Sequence, residues 1–124
     1  MAKILIDAGA DMIIGHHPLV IESIRYYKGR PILYSLGNLI FDQHDPDTKK
    51  GIIAGLTLRD STVKIDLIPY DIVRFRPVPL PADERRQFKR ALEDRSDGIS
   101  LVDDGDGWRL EEAKPSQKYV SSFR

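Results

Sequence analysis

Cysteine is absent from the 124 residues. That excludes disulfide staples, thiolate metal sites and a cysteine nucleophile, and it leaves the compartment open, because many secreted proteins also lack cysteine. An excess of charge of one sign is missing too. The 19 Lys+Arg are matched by 19 Asp+Glu, so the formal net charge is zero. A neutral chain has no general attraction to nucleic acid or to an anionic membrane, and neither is expected as a partner. No run approaches the ~18–20 apolar residues of a membrane span. The opening Met1-Ala2-Lys3-Ile4-Leu5-Ile6-Asp7-Ala8-Gly9 is too short and polar for a signal peptide. Internal repeats and low-complexity segments are also lacking. What remains is 41% hydrophobic and 31% charged, the composition of an ordinary soluble globular domain. The length suits a single one.

The order of apolar and polar residues predicts an α/β chain. Ile4, Leu5 and Ala8 form one apolar face of a helix that Gly9 stops. No capping residue precedes this helix, so the frame is expected to begin inside a larger unit. Residues 11–15 form a short apolar run ending in Gly15, which fits a strand buried on both faces. Residues 32–36 form a second such run, closed by Gly37-Asn38. Leu56, Leu58, Val63, Ile65 and Leu67 alternate with polar residues on either side of Asp60-Ser61. This predicts an antiparallel hairpin with one wet face, in which Pro69 kinks the second strand or places it at an edge. A proline-rich connector, Pro77-Val78-Pro79-Leu80-Pro81, leads to a charged helix over 83–94 with Phe88, Ala91 and Leu92 as its buried stripe. Residues 99–102 and 108–110 are placed to pair across the Asp/Gly turn 103–107, and a mobile tail follows Glu112.

Gly15-His16-His17-Pro18 lies just past the carboxyl end of the first strand, where open α/β sheets place their sites. Imidazole is a common ligand for Zn, Mn or Fe. Adjacent side chains in a regular strand point to opposite faces. The pair therefore divides either into one metal ligand and one residue facing the substrate or a ligand, or into two polar residues that simply close the strand. A catalytic metal site takes three or more protein ligands, which this pair does not supply. Tyr34-Ser35-Leu36-Gly37-Asn38 is the second feature. Ser35 lies within an apolar strand, not on a Gly-x-Ser-x-Gly elbow, which argues against a serine hydrolase. Gly37-Asn38 either brings backbone close to a ligand or makes a turn. The stretch Asp42-Gln43-His44-Asp45 lacks the glycine and glutamate of a calcium loop. Arg85, Arg86, Lys89 and Arg90 are interleaved with acidic residues and read as a salt-bridged helix face.

Gly-Ala-Asp-Met-Ile-Ile-Gly-His-His-Pro over 9–18, followed by Tyr-Ser-Leu-Gly-Asn-Leu-Ile-Phe-Asp-Gln over 34–43, resembles the CapA family of bacterial capsule and poly-γ-glutamate synthesis proteins. The resemblance continues through Gly51-Ile52-Ile53-Ala54 to Arg76-Pro77 and covers about residues 2–95. It implies the C-terminal part of a calcineurin-like metallophosphoesterase fold, an α/β sandwich-type arrangement with a mixed sheet, a hairpin and flanking helices. On this basis residues 1–76 belong to that domain, 77–98 to the connector and helix, and 99–124 to a small hairpin and tail.

The resemblance also implies a divalent metal (Mn, Zn or Fe), with His17 as the matched ligand and His16 beside it. Tyr34, Ser35, Gly37, Asn38, Asp42 and Gln43 would face the substrate. Two departures weaken that site. The family carries His-Pro-His where this sequence has His17-Pro18-Leu19, and the upstream Asp-x-His, Gly-Asp and Gly-Asn-His motifs are not in the sequence. Three functional readings follow: a CapA-like chain that is not catalytically complete alone, a non-catalytic binding or scaffolding module of a polymer-synthesis complex, and a phosphoesterase completed by another chain. An uncovered sheet edge predicts a homo-oligomer. Family members are commonly membrane-tethered through an N-terminal segment that this sequence does not contain.

Overall fold

The computed structural model describes residues 1–16, 20–37 and 49–113. The chain opens with helix α1, Ala2–Asp7, ended by Gly9 at φ +114°. The Ala10 N–H reaches the Leu5 carbonyl and the Gly9 N–H the Ile6 carbonyl, both at 3.0 Å. This is the Schellman pairing that a glycine just past the helix permits. Ile6 is the buried residue of α1, while Ile4 and Leu5 are exposed. The apolar face expected from Ile4, Leu5 and Ala8 thus points to solvent.

Three strands follow: β1 (Ile13–Ile14), β2 (Ile24–Tyr27) and β3 (Arg30–Leu33), in the order β1-β3-β2. β1 runs parallel to β3 and β2 antiparallel to it. Lys28 and Gly29, both at positive φ, make the tight β2–β3 turn. Lys28 and the Tyr27 hydroxyl donate to the Asp7 carboxylate at 2.6 and 3.1 Å, tying α1 to that turn. β1 is shorter than the run at 11–15 suggested, and Ile14 is exposed, because β1 is the edge of this small sheet. The expected burial of that strand on both faces does not hold. β3 lies two residues earlier than the expected strand at 32–36.

The larger sheet is built on the long hairpin of β4 (Lys50–Arg59) and β5 (Thr62–Val73). β5 is then flanked by β6 (Arg76–Pro79) and by the hairpin β7 (Ile99–Asp104) and β8 (Gly107–Glu112). The expected antiparallel hairpin is present, with Leu56 facing Ile65 and Leu58 facing Val63. Ile65 and Leu67 are buried, while Leu56, Leu58 and Val63 at the far end are exposed. Pro69 is buried and falls where β5 changes partner, between Leu67, the last residue paired with β8, and Tyr70, the first paired with β6. A ladder position without an N–H is tolerated at such a break. Part of the proline-rich connector is therefore strand β6, and the C-terminal hairpin joins the same sheet as residues 50–73.

Helix α2, Ala82–Arg95, lies across this sheet. Its Leu92 is buried with Leu67, Leu101, Trp108 and Leu110 in a cluster that also takes in Ile24, Leu33 and Leu36 of the small sheet. Phe88 packs on Trp108 with ring centroids 5.7 Å apart. One core thus joins both sheets. At the end of α2, Ser96 Oγ accepts the Ile24 N–H at 2.9 Å, and Asp97 bridges Arg25. The result is a mixed α/β fold with a parallel–antiparallel sheet, a long hairpin and flanking helices, as the sequence led us to expect.

Burial pushes the Tyr26 hydroxyl up to about 12, helped by Glu112 and Glu111, and burial does the same to Tyr70. The folded state therefore holds these protons more tightly than the unfolded chain does. Their stabilising contribution is complete below pH 10 and is lost between about 10 and 12. Unfolding free energy from urea titrations is expected to fall steadily across that interval. A flat profile there would contradict the burial of these two phenols.

Candidate functional site

The carboxyl ends of β1 and β3 point the same way because the strands are parallel. Gly15 extends the pairing, its N–H donating to the Leu33 carbonyl at 2.7 Å, and His16 follows as an exposed residue. Tyr34 and Ser35 leave β3 at the same end. His16 and the Tyr34–Gly37 strip are therefore brought together at one edge of the small sheet, where α/β sheets bind ligands. Glycine is required at position 15. A Cβ there would collide with the Tyr34 carbonyl oxygen and lie 3.1 Å from its carbon.

Ser35 is buried, and its Oγ accepts the Gly37 N–H at 3.3 Å. Its carbonyl accepts the Glu22 N–H at 3.2 Å, and the Tyr34 N–H donates to the Ser23 carbonyl at 3.3 Å. This hydroxyl closes a turn. Leu36 bridges Ile21, and its carbonyl takes the Ile52 N–H at 2.9 Å, while Gly37 bridges Gly51. At φ +77°, with the Lys50 carbonyl 2.6 Å and the Ile21 side chain 3.1 Å from where a Cβ would sit, Gly37 makes a crossing no other residue fits. Ser35, Leu36 and Gly37 thus fasten the small sheet to the start of β4.

His17, Asn38, Asp42 and Gln43 lie outside the described residues, as do Leu19 and the tail beyond 113. Among the described residues no group of three or more His, Asp or Glu stands close enough to hold a metal ion. His16 contributes one imidazole, and a catalytic centre takes three or more ligands. The described residues therefore do not fit the metal that the fold implies.

The sequence did not reveal the residues packed behind this strip. Arg95 donates from Nη1 to the Ile21 carbonyl at 3.1 Å and from Nε to the Ala91 carbonyl at 3.3 Å, pinning the end of α2 against the lead into β2. A cavity of about 610 Å³ opens between Val20, Ile21, Lys50 and the flank of α2. Three separate segments line it, so no local pattern announced it.

Residues 1–43 match the family model described as bacterial capsule synthesis protein PGA_cap. The chain is 41% identical over 101 residues to the capsule biosynthesis protein CapA of Bacillus anthracis, covering 79% of this chain and 25% of that protein. It is 38% identical over 108 residues to the PGA biosynthesis protein CapA of Bacillus subtilis, covering 85% and 28%. Over most of its length the chain is similar to CapA-family proteins. A relative from Mycobacterium tuberculosis, named "probable polyglutamine synthesis accessory protein", is 30% identical over 112 residues, covering 79% of this chain and 29% of its own length. The chain thus spans between a quarter and a third of the length of these relatives. Its α/β fold accords with part of the metallophosphoesterase-like domain that the resemblance implied. Among the described residues no helix is long and apolar enough to cross a membrane.

Proposed function

We propose that this chain serves in the synthesis of a capsule-type polymer of poly-γ-glutamate, as a binding part of the synthesis machinery and not as a self-sufficient hydrolase. The observation that carries the reading is the match to two CapA proteins over 79% and 85% of the chain. The family-model match over residues 1–43 takes in both motif strips, whose described parts lie at the carboxyl ends of β1 and β3. In this reading residues 1–76 form the family portion of the chain. His16 and Tyr34 are assigned to the ligand, with Ser35 and Gly37 holding their strip in place, and His17, Asn38, Asp42 and Gln43 are assigned to it from their motifs alone. Leu19, at a position where the family carries a histidine, supports binding over catalysis. Disrupting the reading frame in the bacterium that carries it is expected to lower cell-associated poly-γ-glutamate. Unchanged polymer would overturn the capsule reading.

A second reading, a phosphoesterase completed by another chain, is favoured by the retained His17. Protein loaded with Mn²⁺ or Zn²⁺ and then desalted is expected to hold the same trace of metal as its His17→Ala variant, measured by plasma mass spectrometry. Near-stoichiometric metal that disappears in the variant would decide for the phosphoesterase.

The same reading includes self-association. Among the described residues β1 pairs on one side only, and Ile4, Leu5 and Ile14 near it are exposed. An open edge flanked by apolar residues is the kind of surface that pairs with another chain. Light scattering is expected to give at least a dimer, and a monodisperse monomer would count against it.

A further inference from the structure

We infer that the cavity between α2 and the start of β4 is a binding site for a carboxylate-bearing γ-glutamyl chain, an inference that rests on the proposed role in polymer synthesis. The cavity has a physical origin in the helix. Glu84, Gln87, Ala91 and Arg95 recur at spacings of three and four, which places them on one flank of α2. The small Ala91 leaves room in the middle of that flank. Phe88 and Leu92, turned toward Trp108 and the core, make the floor, and Val20 and Ile21 make the opposite wall. A volume of 610 Å³ lies within the range of small-molecule sites, about 300–1,000 Å³.

The chemistry of the lining is mixed in a specific way. Two cations, Lys50 and Arg95, face a single carboxylate, Glu84. By the helical rise Glu84 stands about 16 Å along α2 from Arg95, so the Arg95 end of the cavity is electropositive within a chain of zero net charge. A guanidinium carries five N–H donors, and the bonds to the Ile21 and Ala91 carbonyls use two of them. Those bonds also hold the group rigid, so less freedom is lost when it meets a ligand. A γ-linked glutamyl chain repeats three elements: a carboxylate, an amide, and two methylenes between them. Lys50 and Arg95 suit the first, the Gln87 amide the second, and the apolar floor and wall the third.

A second, more open hollow of about 510 Å³ shares Ile21 and Arg95 with the cavity and adds Glu22, Ser23 and Tyr34. Arg95 is therefore common to the cavity and to the surface leading to Tyr34. The hollow carries the surface from Arg95 of α2 as far as Tyr34. The site commits to a polymer that presses carboxylates against cations. An uncharged polymer of the same shape lacks the feature that Lys50 and Arg95 recognise.

The test titrates a short oligo-γ-glutamate into the full 124-residue chain and follows amide resonances, beside the same oligomer with its carboxylates converted to amides. Saturable shifts at Ile21, Lys50, Ala91 and Arg95 are expected with the acid oligomer, weakening as salt is raised, and none with the amidated one. Lys50→Glu reverses an exposed charge without touching the core and is expected to weaken binding about tenfold or more. Ala91→Trp fills the cavity and is expected to abolish binding. Lys64→Glu, on the far hairpin, is expected to leave it unchanged. Equal binding of both oligomers, or undiminished binding in folded Lys50→Glu, would overturn the site. A disrupted strain that still lost its polymer would then leave the capsule reading standing. Unchanged polymer with oligomer binding present would remove the capsule reading and leave a carboxylate site.

Discussion

Trp108→Ala is expected to remove about 3–5 kcal/mol of unfolding free energy, the usual cost of deleting a large buried aromatic. Trp108 is 1% exposed and belongs to the cluster in which both sheets and α2 meet. On β8 it pairs with Leu67 of β5 and with Asp103 of β7, and its ring meets Phe88 of α2. Removing it opens a cavity that rigid strands on two sides resist closing. Domains of this size are stable by about 5–15 kcal/mol, so the loss is a large share of the total. Thermal unfolding followed by circular dichroism is expected to shift down by roughly 10–20 °C. A shift of only a few degrees would mean that the α2 contact does not anchor the core.

Gly15→Ala is expected to be the most damaging small substitution near the candidate site. The added methyl meets backbone, the Tyr34 carbonyl group with the Leu33 oxygen 3.5 Å away, and backbone does not swing aside as a side chain does. Relief requires parting the ends of β1 and β3, which breaks the Gly15 N–H bond to Leu33. The expected cost is about 1–3 kcal/mol, as for overpacking elsewhere, with amide exchange at Gly15 and Tyr34 raised more than in β8. Gly55→Ala is the control. A Cβ there meets Asp66 atoms at 3.8 and 3.9 Å, ordinary contact on an extended strand. That variant is expected to be neutral or slightly more stable. Equal losses in the two variants would show that the tight approach at Gly15 carries no special weight.

The two predictions also mark how far the sequence could be read. Elements with a strong local period were legible. The charged helix expected over 83–94 is Ala82–Arg95, and the alternation of Leu56 to Leu67 set the register of β4 on β5. β2 was missed as a strand because Ile24, Arg25, Tyr26 and Tyr27 do not alternate; one is buried and three are half-buried in the sheet. The face of α1 was misjudged because three apolar residues in six, at Ile4, Leu5 and Ile6, offer more than one stripe, and packing chose Ile6. The attachment of β8 to β5 depends on residues more than 40 positions apart, beyond any local pattern. At the site, Gly15-His16 and Tyr34–Gly37 stood out as motifs because each is contiguous. Gly37-Asn38 read as a turn or as backbone close to a ligand; Gly37 takes its N–H into a turn with Ser35 and packs against the backbone of Lys50 and Gly51. Lys50, Gln87 and Arg95 carried no signal, since only the folded chain puts them beside Ile21.

The bond from the Ile24 N–H to Ser96 and the bridge from Arg25 to Asp97 span 72 residues each. Protein synthesis proceeds from the amino terminus, so both motif strips emerge from the ribosome well before the residues that lock β2 in place. Until residue 96 is free of the exit tunnel, β2 carries an edge with an unpaired donor and three tyrosine- or arginine-bearing positions open to other chains. Nascent copies made side by side on one messenger present that same edge at the same moment, and a chaperone that shields it would act in the interval between residues 37 and 97. In this chain β2 is made early and gains these two contacts only after α2 has been made.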